Sequence, residues 1–261
     1  MSDFEYLEFE KQGAIARIML NRPAAANGMN AGLNRELKQA AQACDRAPET
    51  KVVVLGGHGR FFSAGGDIRE MLSHGDDIGP ALKVLADDLH AAISIFARMQ
   101  AVLIVAVNGV AAGGGFSLAL VGDLVLAAES ASFTMAYTKA GLCPDGSSTW
   151  MLPRLVGLRR AQELMLTNRR LSAAEAAEIG LVTRVVPDTE LQDEVDRLAA
   201  DLAAGPRLPQ AYVKKLLLAG AGNGLESQME LEAQLLSTCA ASPDGREGIQ
   251  AFVDKRDPDF E

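Results

Sequence analysis

Aromatic residues, cysteines and histidines are all scarce in this 261-residue sequence. Aromatic residues make up 5% of it and apolar residues 48%, which favours tightly packed helices over an aromatic-rich β-sandwich. The three cysteines form no CxxC pair, and this indicates a reducing compartment rather than a disulfide framework. The three histidines belong to no HExxH motif and to no Cys/His cluster. We therefore predict no metal site.

Long apolar runs and an excess of positive charge are missing as well. The run Ala101–Val107 is far shorter than the roughly 20 residues that cross a bilayer, and the first ten residues lack the basic segment of a signal peptide. Lys and Arg number 25 against 34 Asp and Glu, which gives a net charge of −9. Such a chain does not attract polyanions. We expect a cytoplasmic protein that binds neither nucleic acid nor a membrane.

Strand and helix signals alternate along the first two-thirds of the chain. Alternating apolar residues from Leu7 to Phe9 and the segment Ala14–Leu20 predict an antiparallel hairpin. Apolar residues recur at helical spacing over Leu33–Cys44 and Pro80–Met99. Short apolar runs of the kind found in buried parallel strands follow at Lys51–Leu55, Val102–Val107, Asp123–Ala127 and Leu181–Val186.

The pattern becomes helical after about residue 190. A capping box at Ser172–Glu175 and a C-cap glycine, Gly180, already mark one helix. Further helices are predicted at Asp188–Ala204, Gln210–Leu218, Leu225–Ala240 and Asp244–Val253. We expect an α/β core over residues 1–190 and a helical region over residues 191–261. That region either completes the core or forms an oligomer interface.

Two glycine-rich segments each lie between a predicted strand and a predicted helix. They are Phe62–Ile68 and Asn108–Gly115, and neither has the spacing of a dinucleotide-binding loop or a P-loop. Uncovered backbone N–H groups at helix N-termini carry positive potential, so two of them that converge would form an oxyanion hole. The alternative is that the glycines only allow close packing of strand and helix. The segment Gly115–Ala119 resembles a nucleophile elbow, but Ser117 is predicted to be a buried helix residue.

The third feature is an acid next to a proline. Asp145 follows Pro144 and precedes a predicted helix through Trp150 to Leu155. It is either the N-cap of that helix or a carboxylate in a largely apolar pocket, where a raised pKa would suit it to shuttle a proton.

Taken together, these segments resemble the crotonase (enoyl-CoA hydratase/isomerase) superfamily. The resemblance covers nearly the whole chain and is carried by Asn21–Asn27, Phe62–Ile68, Val107–Asp123, Leu152–Gly157, Leu171–Val186 and Glu247–Arg256. It implies an α/β fold with a repeated ββα spiral core and a helical C-terminal trimerisation region, which assembles as a homotrimer or a dimer of trimers. It also implies an acyl-CoA thioester as substrate, with no cofactor beyond the coenzyme A of that substrate.

The same resemblance implies roles for individual residues. The backbone N–H groups of Ala64 and Gly114 would hold the thioester oxygen. The adenine and pantetheine path would be lined by Ala24, Ala26, Ala64, Gly65, Gly66, Asp67 and Ile68. Phe252 and Lys255 of a neighbouring subunit would hold the coenzyme A end, although Lys255 also fits a solvated helix charge.

The sequence departs from the hydratase pattern at two positions. Ser117 and Tyr137 stand where hydratases carry the two glutamates that orient and activate water. Asp145, by contrast, matches the acid of the family's isomerases, and the sequence around it is most similar to the ring-epoxide isomerases of phenylacetate degradation. We therefore predict an acyl-CoA isomerase that moves a double bond by proton transfer through a thioester enolate.

Three other functions stay open. Asp145 and His90 also match the nucleophile and the base of 4-chlorobenzoyl-CoA dehalogenase, although His90 on the flank of its helix also fits a structural histidine. An enoyl-CoA hydratase is the second alternative. The third is a protein that binds acyl-CoA without converting it.

Overall fold

Two β-sheets of different size organise the chain, for which a computed structural model describes residues 4–260. The strands are β1 (Leu7–Gln12), β2 (Ile15–Leu20), β3 (Val52–Gly57), β4 (Phe61–Ser63), β5 (Val102–Val107), β6 (Val110–Ala112), β7 (Leu124–Ala128), β8 (Ser132–Thr134), β9 (Leu171–Ser172) and β10 (Arg184–Val186). All the predicted strands are present. The last is shorter than predicted, because Leu181–Thr183 is a bend in which Thr183 pairs with Val125.

The strand order shows a repeated ββα unit. The larger sheet has the order β1-β2-β3-β5-β7-β10, and the smaller sheet has the order β4-β6-β8-β9. Each consecutive pair, β3–β4, β5–β6 and β7–β8, therefore places its first strand in the larger sheet and its second in the smaller one. Within the larger sheet only β1 is antiparallel to its neighbour, as the predicted hairpin requires.

Helices connect and cover the sheets. They are α1 (Ala31–Asp45), α2 (Ile68–Ser73), α3 (Ile78–Arg98), α4 (Gly114–Ala119), α5 (Ser148–Val156), α6 (Leu158–Thr167), α7 (Ala173–Glu178), α8 (Leu191–Ala203), α9 (Arg207–Gly220), α10 (Leu225–Ala241) and α11 (Pro243–Asp254). The predicted capping box is present at Ser172 and Glu175. Across residues 4–260, every helix is too short or too polar to cross a membrane.

The hydrophobic core lies between the larger sheet and its helices. Strands β3 and β5 are buried along their whole length, as expected of central parallel strands covered on both faces. Helix α1 is capped by Asn30, whose side chain accepts a hydrogen bond from the N–H of Leu33. Capping and an apolar face together fix α1 against the sheet.

The core does not end at residue 190. Leu191, Val195 and Ala199 of α8 are buried in the same cluster as the strands. Lys214 of α9 is bound to Asp123, at 2.7 Å, just before β7. Helix α8 therefore completes the core, which is one of the two alternatives expected for the helical region, because its apolar face covers the larger sheet. By contrast, α10 and α11 leave many of their apolar residues exposed.

Candidate active site

The two glycine-rich segments meet. Gly65 has φ +91°, and a Cβ there would lie 2.7 Å from the carbonyl oxygen of Ala112 and 3.0 Å from the amide nitrogen of Gly114. Any residue but glycine would hold the loops apart. Close packing also explains Gly115, where a Cβ would overlap the backbone of Ser63. The glycines therefore allow packing and at the same time bring two loops of backbone amides together.

One predicted amide is already occupied. The N–H of Ala64 donates to the carbonyl oxygen of Ala26 at 3.0 Å, so it cannot also hold a thioester oxygen. The prediction for Ala64 is wrong, because the loop that contains Ala26 crosses over this segment. Gly114 is the first residue of α4, and the first N–H groups of a helix lack an intrahelical acceptor. The amide of Gly114 therefore fits its predicted role.

Gly66 supplies the second amide. Its neighbours are bound to Met29, whose N–H donates to Gly65 at 2.7 Å and whose carbonyl oxygen accepts from Asp67 at 2.9 Å. Among residues 4–260, no group accepts a hydrogen bond from the N–H of Gly66 itself. The sequence indicated the segment that has a free amide, but not that Gly66 rather than Ala64 carries it, since the alternation of bound and free amides depends on the bridge to Met29.

A cavity of about 240 Å³ joins these groups. Gly66, Gly114, Tyr137 and Asp145 line it, and Ala64 does not. Its apolar wall consists of aliphatic and thioether side chains, chiefly those of Met29, Met71, Leu82, Leu85, Leu89 and Leu142. The cavity thus combines two backbone N–H groups and one carboxylate with an apolar lining, as expected of a small-molecule site.

Asp145 is held at two points. Its Oδ1 lies 2.7 Å from Nε2 of His90, and the two side chains are 41% and 45% exposed. Its carbonyl oxygen accepts hydrogen bonds from the hydroxyl groups of Ser117 and Ser148, both at 2.8 Å. The N-cap interpretation is wrong, because Ser147 precedes α5 and the carboxylate of Asp145 points to His90 instead. This contact brings His90 to the predicted acid, and the assisting role of His90 stays a prediction.

Ser117 and Tyr137 also lie together. Their hydroxyl oxygens are 3.0 Å apart, and Tyr137 also donates weakly to the carbonyl oxygen of Asp145 at 3.4 Å. Ser117 is fully buried in α4, as predicted. Burial, with a smaller contribution from the negative charge of Asp145, raises the pKa of Tyr137 to about 12. Tyr137 is therefore a neutral hydrogen-bonding group at physiological pH.

Asp67, predicted to line the coenzyme A path, is bound within the protein. Its carboxylate accepts from Arg22 at 3.0 Å and from the N–H groups of Arg69 and Glu70, which begin α2. Burial raises the pKa of Asp67, but the hydrogen bonds from Arg22 and Glu70 outweigh it and lower the pKa overall. The side chain therefore fixes α2 to the preceding loop.

The other predicted coenzyme A contacts lie at the surface or in another helix. Ala24, Ala64 and Ile68 are exposed and Ala26 is half-buried. Phe252 is 85% exposed on α11, and Lys255 follows α11 with φ 55°. Neither Phe252 nor Lys255 lines the cavity of its own chain over residues 4–260, so their contact from a neighbouring subunit stays a prediction. No cluster of three His, Cys, Asp or Glu side chains suited to a metal occurs in that part of the chain.

The similarity to known proteins extends over nearly the whole chain. The model of the family "Enoyl-CoA hydratase/isomerase" matches residues 10–261. A probable enoyl-CoA hydratase of Rhodobacter capsulatus is 39% identical, and 1,2-epoxyphenylacetyl-CoA isomerase of Escherichia coli is 36% identical; each alignment covers 98% of both chains. 4-Chlorobenzoyl coenzyme A dehalogenase-2 of Arthrobacter is 35% identical over 96% of this chain and 91% of that protein.

Solved structures agree with the fold. An enoyl-CoA hydratase subunit of Geobacillus kaustophilus superimposes with a TM-score of 0.92 at 35% identity, covering 100% of this chain and 99% of that one. A structure from Mycobacterium abscessus gives a TM-score of 0.94 at 31% identity, covering 98% and 99%. The predicted crotonase fold is thereby confirmed.

Proposed function

Because this chain belongs to the enoyl-CoA hydratase/isomerase family, we propose that it is an acyl-CoA isomerase, which moves a double bond along the acyl group of a CoA thioester. One observation carries this proposal. Asp145 is the only carboxylate that lines the cavity with Gly66 and Gly114 over residues 4–260. The two positions at which hydratases carry glutamates hold Ser117 and Tyr137.

The two amides stabilise the charge that develops during the reaction. Removal of a proton from an acyl-CoA leaves an enolate, whose negative charge lies on the thioester oxygen. The N–H groups of Gly66 and Gly114 donate to that oxygen, and they bind the enolate more strongly than the neutral carbonyl. This preference makes the carbon-bound proton easier to remove.

Asp145 then transfers the proton. Its carboxylate takes a proton from one carbon and returns it to another carbon of the same conjugated system, which shifts the double bond. His90 holds one carboxylate oxygen at 2.7 Å, and the hydroxyl groups of Ser117 and Ser148 fix the backbone of Asp145. The carboxylate is therefore held in a defined direction at the wall of the cavity, and its second oxygen is left to carry the proton.

Addition of water has less support. A hydratase needs a base that activates water, and a tyrosine whose pKa is raised to about 12 stays protonated near neutral pH. Ser117 is fully buried and directed at Asp145 and Tyr137. The pair can orient a neighbouring group but cannot accept a proton from water.

The test is a panel of 2-enoyl- and 3-enoyl-CoA thioesters with wild type and Asp145→Ala. We expect a product of unchanged mass and altered double-bond position from the wild type, and none from the variant. A product heavier by one water would identify a hydratase. Tight binding with no product from any thioester would identify a protein that only binds acyl-CoA.

A second candidate is hydrolytic dehalogenation of an aryl-CoA, and the contact between His90 and Asp145 favours it. In that reaction Asp145 attacks the ring carbon, halide leaves, and water activated by His90 cleaves the resulting ester. The described lining of the cavity contains a single aromatic side chain, that of Tyr137, which gives a planar ring little to stack on. Release of chloride from 4-chlorobenzoyl-CoA would establish this alternative.

We also propose that the C-terminal helices form the interface of a homotrimer or of a dimer of trimers. Leu225, Leu236 and Phe252 are 67%, 72% and 85% exposed in the single chain, and exposed apolar groups of this extent mark association surfaces. Phe252 and Lys255 would then reach the coenzyme A of a neighbouring subunit. Sedimentation equilibrium of wild type and Leu236→Lys tests the assembly, and a monomeric wild type would refute it.

A further inference from the structure

The terminal methyl group of Met71 lies against Gly66. Met71 belongs to the short helix α2 and lines the cavity together with Gly66 and Gly114. A Cβ added to Gly66 would overlap the Cε of Met71. This methyl group therefore fills the space directly beside the amide that would hold the thioester oxygen.

A second methionine, Met29, lies beside Gly114 as Met71 lies beside Gly66, but it is less free to move. A Cβ added to Gly114 would lie 3.0 Å from Sδ of Met29. Met29 is 2% exposed, and its backbone forms a bridge to Gly66, so its position is fixed. Met71 is half-buried in a helix that has no buried residue. With three rotatable side-chain bonds, it is the wall that can adjust.

We propose that Met71 determines which substituents this site accepts on the α-carbon of the acyl group. The proposal rests on the proposed function, because it requires a thioester oxygen at Gly66 and Gly114. A hydrogen bond of about 2.9 Å places the carbonyl carbon, and the α-carbon bonded to it, next to these residues. A methyl branch on the α-carbon that faces α2 would need the space of Cε of Met71. Unbranched thioesters therefore bind more tightly than α-methyl thioesters, because the branch can enter only when Met71 moves away from this position.

The size of the side chain makes the effect measurable. Truncation of Met71 to alanine removes Cγ, Sδ and Cε, which leaves room for a methyl branch. One methylene group in an apolar pocket changes discrimination by about 10–200-fold. We therefore expect Met71→Ala to shift the preference toward the branched thioester by about tenfold or more.

The experiment compares the Kd values of butanoyl-CoA and 2-methylbutanoyl-CoA by calorimetry. The proteins are wild type, Met71→Ala, Met71→Leu and Leu72→Ala. Met71→Leu keeps most of the volume, so its Kd ratio should resemble that of the wild type. Leu72 is 70% exposed on the same helix, so Leu72→Ala controls for a general loosening of α2. Met71→Val, of intermediate size, should give an intermediate ratio.

An unchanged Kd ratio in Met71→Ala would overturn the proposal, and so would an equal shift in Leu72→Ala. Both thioesters are saturated and cannot be isomerised, so the ratio does not depend on turnover. Loss of the isomerase assignment would leave this measurement intact, and a failure here would leave the isomerase assignment intact.

Discussion

Nε2 of His90 lies 2.7 Å from Oδ1 of Asp145, although 55 residues separate them in the sequence. Helix α3 carries the histidine, and the loop before α5 carries the acid. His90 and Asp145 both line a second cavity of about 410 Å³. The pair thus forms part of the wall between two cavities, and only Asp145 faces both of them.

Because this pair is exposed, we expect its loss to lower the activity of the protein and to leave its stability nearly unchanged. Contacts between side chains this exposed contribute about 0–1 kcal/mol to folding, so His90→Ala, which removes the contact, should unfold at nearly the wild-type urea concentration. Without the imidazole, Asp145 can turn away from the substrate, and we expect kcat to fall about tenfold, or 1.4 kcal/mol in the barrier, with KM unchanged. Steady-state kinetics and urea unfolding of one preparation check this. Equal kcat values would exclude a positioning role.

The oxyanion hole predicts different results for two substitutions at Gly114. Gly114→Pro removes the N–H, although the first turn of a helix tolerates proline. Loss of one such donor costs about 3–4 kcal/mol, or 10²–10³-fold in kcat. Gly114→Ala keeps the N–H, and its Cβ would lie 3.0 Å from Sδ of Met29, the one contact shorter than an ordinary van der Waals distance. We expect Gly114→Ala to retain most of the activity. Similar losses in both variants would point to packing instead.

Local patterning in the sequence predicted the strands of the larger sheet, most of the helices and the two glycine segments, but not the short strands of the smaller sheet or α6. Local patterning alone did not reveal the repeat of the ββα unit, which only the family resemblance implied, since α3, with 21 residues, separates β4 from β5, whereas only the short α4 lies between β6 and β7. Nor did it separate Ala64 from Gly66. Which of these amides is free depends on contacts with Ala26 and Met29, which are about 40 residues away and leave no local signal.

The raised pKa of Tyr137 leads to a prediction for how kcat depends on pH in the alkaline range. An exposed tyrosine ionises near pH 10, but burial raises the pKa of Tyr137 to about 12. The neutral form is the hydrogen-bonded one, so raising the pH through the ordinary tyrosine range should leave this group protonated. We therefore expect kcat to depend on pH in the same way near pH 10 in wild type and in Tyr137→Phe. An ionisation near pH 10 that Tyr137→Phe abolishes would contradict it.

The ion pair between Lys214 and Asp123 connects α9 to the core. Burial raises the pKa of Asp123 and lowers that of Lys214, and in each case their mutual attraction only partly opposes this effect. Both charged forms are therefore disfavoured by folding. The contribution of Asp123 to stability falls as the pH rises above the ordinary carboxylate range, and that of Lys214 falls as the pH drops below the ordinary lysine range. Near neutral pH both costs are present.

Removing one partner should consequently cost more than removing both. Lys214→Met leaves the charge of Asp123 without its partner. The side chain of Asp123 is 25% exposed, so we expect a cost below the about 3–5 kcal/mol of a fully buried pair. In Asp123→Asn/Lys214→Met no charge remains, and the Asn side chain can still accept the hydrogen bond that Leu103 now donates to Asp123 at 2.8 Å. We expect the double variant to be at least as stable as wild type in urea unfolding at pH 7. A double variant no more stable than Lys214→Met would show that the pair itself stabilises the fold.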